Sequence, residues 1–301
     1  MIEDFSERNE PNEIRSGNFS KVEMRDNDVV MEPRSNFPGK IADMNEKMGK
    51  QETFNKMFEN FEGIEICEIK EKDTSKGRYV VERAEGVNLS QIDGEKDGEI
   101  KEFLNLRVDV KSSALLTYVK MIEVLNSKNI SFTDHKGDSI FVQSDYNSPL
   151  KSKISIVDAG SLSSHENQQE AWRKDLNGGL VDALKSFYTR GIGYKEFEGL
   201  IPNGIKEILD NIESYPDAKV LCDRLNAYIH GKSESTINPN KRKMDLFNKA
   251  AQAGVSDDIR RRIWEKDYNK LSQFEIDSIE VYINKFNLTK NLPLMKALER
   301  K

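Results

Sequence analysis

Short runs of alternating apolar and polar residues fill the first third of the chain, and further on apolar residues recur at spacings of three and four. Val29-Val30-Met31-Glu32, Ile64-Glu65-Ile66-Cys67-Glu68-Ile69 and Arg78-Tyr79-Val80-Val81-Glu82 read as strands. A half-buried strand turns successive side chains to opposite faces and favours β-branched and aromatic residues. Residues 14–22 read as a strand end, a turn at Gly17 with Phe19 at its tip, and a return through Ser20 to Val22. Residues 39–61 carry Ile41, Met44, Met48, Phe54, Met57, Phe58 and Phe61 at helical spacing, with the methionines as core filling. A second amphipathic helix is predicted over 113–129, with Leu115, Leu116, Val119, Ile122 and Leu125 on one face. Two more strand-like runs, 140–142 and 154–157, precede predicted helices over 171–190, 202–231 and 240–301. The pattern is α+β, with the strands early and the helices late.

With 301 residues, 37% hydrophobic and 33% charged, the chain has room for a large core in one domain or two lobes with an extension. A net charge of −6 supplies no basic face and argues against nucleic-acid binding. Cys67 and Cys222 stand far apart with no accompanying Cys/His cluster, which indicates neither a disulfide framework nor a zinc site. No apolar run reaches the roughly 18 residues of a membrane span. Residues 1–13 hold too few apolar side chains to form a core and read as a disordered segment, acidic and polar rather than a secretory signal. Gly231-Lys232-Ser233-Glu234-Ser235-Thr236 has linker composition, which sets residues 233–301 off as a helical extension. Within it Lys241-Arg242-Lys243 and Arg260-Arg261-Arg262 are interspersed with Glu265, Asp267 and Glu275, the composition of a solvated face.

The candidate chemistry lies between the long helix and the late strands. Thr133-Asp134-His135-Lys136-Gly137-Asp138-Ser139 separates Ile130-Ser131-Phe132 from Ile140-Phe141-Val142, and Asp158-Ala159-Gly160 stands where the run 154–157 ends. Two carboxylates are thereby expected at one edge of a hairpin. Phosphoryl transfer uses such a pair, one Asp beside the attacking hydroxyl and another on the magnesium that bridges the phosphates. The spacing resembles the protein-kinase signature H-R-D-L-x-x-x-N followed by D-F-G. Asp134 matches the catalytic Asp, Lys136 the Lys two residues later, Ser139 the Asn and Asp158 the metal Asp, while Phe132 and Thr133 stand where His and Arg would be. Upstream, the turn with Gly17, Ser20 and Val22 resembles the lid over the nucleotide. Residues 77–89 resemble the hinge, with Val81 as gatekeeper and Glu82 C=O and Ala84 N–H for the adenine edge. Together these landmarks look like a protein kinase. The resemblance implies a two-lobed fold with the first lobe at about 14–83 and the second at about 84–232, ATP and Mg2+ as cofactors, and transfer to Ser or Thr of a protein.

Three departures stand out. The strand lysine that would pair with the phosphates is replaced by Met31, which leaves open a natural pseudokinase, a displaced lysine such as Lys21 or Lys40, or an engineered Lys-to-Met substitution. The glutamate of the ion-pair helix is expected at Glu52, with Glu46 second. Only residues 161–170 separate Asp-x-Gly from the next helix, where Asp175 would either brace the loop of Asp134 or serve as an N-terminal carboxylate favoured by the helix dipole. The shortened second lobe resembles the compact kinases that pathogenic bacteria deliver into host cells by type III secretion, the OspG and NleH group. That resemblance implies secretion into the host cytoplasm and a host-protein substrate or regulator, with the C-terminal helices as a further partner surface. The alternative is a pseudokinase that serves as a host-protein interaction module.

Overall fold

Valines at strand spacing build the centre of the first sheet. In the computed structural model, which describes residues 14–16, 20–25, 27–33, 35, 38–90, 102–144, 152–190, 195–231 and 239–299, two compact units are distinguished. One comprises residues 1–85 and 155–161, the other 86–154 and 162–301. The expected disordered segment 1–13 and the lid residue Gly17 lie outside the described residues.

The first unit contains β1 (Ile14–Ser16), β2 (Ser20–Met24), β3 (Asp28–Pro33), helix α1 (Pro38–Phe58), β4 (Ile64–Glu65), β5 (Ile69–Asp73) and β6 (Arg78–Glu82). A five-stranded antiparallel sheet runs in the order β1-β2-β3-β6-β5. Val30 faces Val80 across the β3–β6 pair, and Met31 lies opposite Val22 on one side and Tyr79 on the other. Helix α1 buries Met44, Met48, Gln51, Phe54 and Phe58, with the Phe54 and Phe58 ring centroids 4.8 Å apart. At the β5–β6 turn Gly77 has φ +62°, and a Cβ there would lie 3.1 Å from backbone atoms of Ile41. Glycine permits both the left-handed backbone and the approach of α1.

In the second unit β7 (Val87–Asn88) is followed by α2 (Val108–Ser127), β8 (Ile130–Phe132) and β9 (Ile140–Gln143). β10 (Lys153–Ile156) runs from this unit into the first, and β11 (Leu162–Ser164) returns to the second. β7 pairs with β9 and β8 with β11, both antiparallel. Helix α2 buries the face predicted from its periodicity, including Leu115, Leu116, Val119, Ile122 and Leu125.

The single helix expected over 171–190 is two, α3 (Gln168–Asn177) and α4 (Leu180–Thr189). Gly178-Gly179 separates them, with Gly179 at φ +90°. Glycine costs a helix interior about 1 kcal/mol relative to alanine, and two in succession mark the break. Helices α5 (Lys195–Glu198), α6 (Asn203–Asp210) and α7 (Ala218–His230) follow. The C-terminal segment forms α8 (Pro239–Gln252), α9 (Asp257–Glu265) and α10 (Gln273–Glu299) around Leu246, Ala250, Val255, Ile263, Ile276 and Ile283. The buried Asp277 of α10 accepts hydrogen bonds from Gly204 N and the Tyr228 hydroxyl, which fastens this segment to α6 and α7. The architecture is α+β, sheet-rich at its N-terminal end and helical toward its C-terminus. Among the described residues no helix is long and apolar enough to cross a membrane.

Candidate functional site

β8 delivers the chain into the loop of Asp134, and the loop is held from beneath. Asp175, fully buried in the last turn of α3, accepts hydrogen bonds from Phe132 N at 2.8 Å and Asn126 Nδ2 at 2.6 Å. Its Oδ1 also lies 2.8 Å from His135 Nε2, and His135 Nδ1 lies 2.8 Å from the Tyr118 hydroxyl. A neutral imidazole donating through Nε2 to Asp175 and accepting at Nδ1 from Tyr118 satisfies both ring nitrogens. Burial, with the Asp175 charge added, holds the Tyr118 phenol well above its ordinary value, so it remains a donor. The backbone N–H of His135 donates to Gly178 O at 2.8 Å, so the glycine break after α3 also serves the loop. The alternative for Asp175, a carboxylate at a helix N-terminus, fails because the residue lies at the other end of its helix. That end is electrostatically unfavourable for an anion, and the hydrogen bonds to the loop offset the cost.

Because His135 points inward, its neighbours point outward. Asp134 and Lys136 are both about half exposed, and Lys136 Nζ lies 2.5 Å from Asp134 Oδ2. Ser139 ends the 3₁₀ turn Gly137–Ser139, and its hydroxyl is 3.3 Å from Asp138 Oδ1. Asn88 Nδ2 binds Asp138 O at 2.8 Å and ties this turn to β7.

In the first unit the Asp-x-Gly turn is positioned by α1. Gln51 is buried; its Oε1 accepts from Ala159 N at 2.9 Å, and its Nε2 donates to Ile156 O at 3.3 Å and Asn55 Oδ1 at 2.9 Å. Asp158 Oδ1 accepts from Gly160 N at 2.9 Å, while Oδ2 lies 3.9 Å from Lys47 Nζ. Lys50 donates to Gly160 O at 3.3 Å and pairs with Glu46 at 2.8 Å, a contact that lowers the Glu46 carboxyl below its usual range. Two lysines of one helix thus meet the Asp158 turn.

This corrects the expectations for α1. Glu52 is exposed and pairs with Lys72 at 2.8 Å, and Glu46 is engaged by Lys50, so neither occupies the place foreseen for the ion-pair glutamate. The lysines proposed as displaced substitutes are occupied elsewhere: Lys21 pairs with Glu32 at 3.1 Å and Lys40 with Asp43 at 3.7 Å. The helix residue beside Asp158 is Lys47. At the end of β6, Val81 is buried, Glu82 N donates to Glu68 O, and no bond to Ala84 N–H is made among the described residues. Ser20 begins β2 opposite Pro33.

Gln51, Lys47, His135 and Asn126 are site residues that the sequence reading did not assign. Gln51 carries a detectable signal, since it continues the spacing of the buried Met44 and Met48 along α1. His135 stands directly between Asp134 and Lys136 in the motif.

Among the described residues no group of three or more His, Cys, Asp or Glu side chains is arranged to hold a metal. Asp158 offers a single carboxylate. That donor set fits Mg2+ only where nucleotide phosphates and water complete an octahedron, which is how this ion usually binds. Burial pushes the thiols of Cys67 and Cys222 up to about 12 and about 11, so both stay protonated and serve as packing groups. Compared with known protein families and with curated proteins, the chain matches none.

Proposed function

We propose that the chain is an ATP-dependent kinase acting on Ser or Thr hydroxyls of proteins, with Lys47 supplying the cation that Met31 does not. The observation that carries this assignment is the buried support of Asp175, His135 and Tyr118 beneath a loop whose outward side chains are Asp134 and Lys136. Phosphoryl transfer depends on positioning and electrostatics more than on covalent chemistry, so a carboxylate on a rigid, satisfied loop is what it requires. Asp134 would orient the substrate hydroxyl and take its proton while the hydroxyl oxygen bonds to the γ-phosphorus and the bond from that phosphorus to ADP breaks. Lys136 would exchange Asp134 for the transferred phosphoryl group. In the first unit Lys47 and Lys50 would meet nucleotide phosphates, and Asp158 would hold Mg2+ together with them. The ion supplies charge neutralisation on those phosphates. Val81 and the Glu82–Ala84 backbone would receive the adenine, with Ser20 and Val22 on the lid. The resemblance to secreted effector kinases makes a host protein the proposed substrate and type III secretion the proposed route.

The test is phosphate transfer from ATP to a generic acceptor such as casein, with ATP affinity measured in parallel. The expected result is weak ATP binding and slow transfer by the chain itself, because Lys47 stands 3.9 Å from Asp158 and β3 carries Met31 where the resemblance calls for a lysine. Lys47→Met should lower both quantities and Met31→Lys should raise them. Asp134→Asn should reduce transfer by orders of magnitude while sparing ATP affinity and the thermal midpoint. Transfer unaffected by Asp134→Asn would remove that residue from the reaction. Met31 specifically favours a second reading, a pseudokinase that binds host proteins. ATP binding with no transfer in any variant, Met31→Lys included, would establish it instead.

A further inference from the structure

One helical turn into α2 the second unit buries a lysine that meets no anion among the described residues. Lys111 is 5% exposed, and its Nζ lies 3.7 Å from the centroid of the Phe103 ring. Among the described residues no carboxylate pairs with it. Asp109, two residues earlier, is held by Arg107 at 2.5 Å. The start of a helix is also the wrong end for a cation, since the unpaired N–H groups there already carry partial positive charge. Burial and the neighbouring charge of Lys285 push the Lys111 ammonium down to about 7, and burial lowers Lys285 as well. Lys285, on α10, has its Nζ 3.4 Å from Asn105 Oδ1.

Both lysines line a cleft of about 730 Å³, a volume within the range of small-molecule sites. Arg107, Arg262 and Lys266 line it too, against two carboxylates among the described residues, Asp109 and Glu275. Glu275 is itself occupied, accepting a hydrogen bond from Ser272 N at the start of α10. The rest of the lining is largely apolar, with Leu104, Leu200, Ile263 and Phe274 among it. A polyphosphate or sugar could meet the cationic side chains but would leave the apolar half of the walls, Leu104, Leu200, Ile263 and Phe274 among it, unmatched. An ion without an apolar body would leave them wet. A ligand with one anionic head and a hydrocarbon body satisfies both halves of the lining.

We propose that this cleft binds an aliphatic carboxylate, its head between Lys111 and Lys285 and its chain against Leu104, Leu200, Ile263 and Phe274. The head supplies a counter-ion for Lys111 where the described residues offer none, and charge-assisted hydrogen bonds in a desolvated place are the strong ones. The chain displaces water from the apolar walls. The proposal is independent of phosphoryl transfer.

The probe is decanoate, titrated calorimetrically into the full chain near neutral pH, with decan-1-ol as the uncharged analogue. Decanoate should bind, and decan-1-ol should bind about tenfold more weakly or not at all. Lys111→Met should weaken decanoate by about tenfold or more, and Lys285→Gln should weaken it by a smaller factor. Lys111→Met keeps the apolar stem and removes the buried charge, so the variant is expected to fold. A direct reading comes from the NMR titration of Lys111, whose midpoint should move upward when decanoate is present. No heat of binding up to about 1 mM decanoate, the weak end of specific affinity, would overturn the proposal. So would equal binding of decanoate by Lys111→Met, or a Lys111 midpoint that decanoate leaves unchanged.

Discussion

Replacing Lys111 by methionine should stabilise the unliganded protein, by an amount that falls as pH rises. In the unfolded chain this ammonium has its ordinary value of 10.5, whereas in the folded state burial and the Lys285 charge bring it down to about 7. Between those values the unfolded state holds a proton that the folded state lacks, so the stability of the parent rises with pH across the interval. Below about pH 7 both states are protonated, and the folded protein carries the whole cost of a buried ammonium for which the described residues supply no counter-ion. At about 1.4 kcal/mol per pH unit, the interval corresponds to about 5 kcal/mol, an upper bound because water entry and side-chain relaxation reduce it. Methionine fills a similar volume with nothing to desolvate. Lys285, also lowered by burial, remains in both proteins and tilts both curves the same way, so the difference between them reports chiefly Lys111. The assay is urea denaturation of parent and variant at several pH values, with the slope of each transition recorded to verify two-state behaviour. The variant should lead by several kcal/mol near pH 6 and by less than about 1 kcal/mol near pH 10.5. A variant no more stable than the parent near pH 6, or one whose lead does not shrink with rising pH, would refute the reasoning.

Further outcomes follow from the supports of the loop and the sheet. Asp175→Ala strands the Phe132 N–H, the Asn126 amide and the His135 ring without their acceptor, and should cost about 3–5 kcal/mol in urea denaturation. A loss under about 1 kcal/mol would mean that water or another group replaces the carboxylate. Gly77→Ala forces a side chain into left-handed backbone 3.1 Å from Ile41, and should cost about 1–2 kcal/mol by the same measurement.

Where periodicity alone decides, much of the sequence is readable, although the alternating run 64–69, expected as one strand, forms only β4 and the first residue of β5. The apolar face of α2 and the valine-rich strands β3 and β6 lie where the pattern puts them, because each buries one stripe or one face against a neighbour. The part of the candidate site on α1 was misread for a rotational reason. Successive residues of a helix are turned by about 100°, so assigning the polar role to Glu52 rather than to Gln51 aims it away from the buried stripe. A stripe defined by apolar residues omits Gln51, a polar member whose hydrogen bonds are all satisfied internally. Lys47 has no signal in the sequence for the related reason that a lysine beside a buried stripe resembles any solvated lysine until its partner, more than a hundred residues later, is brought up to it. From the sequence Asp175 suits a brace and a helix-N-terminal carboxylate equally; the Gly178-Gly179 break, inside the helix expected over 171–190, places it at a helix C-terminus, where its hydrogen bonds to the loop decide for the brace. The pairing of β8 with β11 joins segments about thirty residues apart and has no local signal at all.

The first unit is discontinuous along the chain, and this has a consequence for its synthesis. When the ribosome has released residues 1–85, the five strands and α1 are all present, but residues 155–161 have not yet been made. The carboxamide of Gln51 then lacks both Ala159 N–H and Ile156 C=O, and Lys47 lacks Asp158. A nascent chain stalled at this length carries a helix with its inward polar group unmatched, at a cost of about 1–3 kcal/mol against a sheet with little stability in reserve. Completion waits until the whole intervening segment 86–154 has been translated and the turn of Asp158 has emerged behind it. The N-terminal portion is therefore exposed to proteases and chaperones for the time that about seventy residues take to synthesise, on the order of 4–14 s at bacterial-like rates.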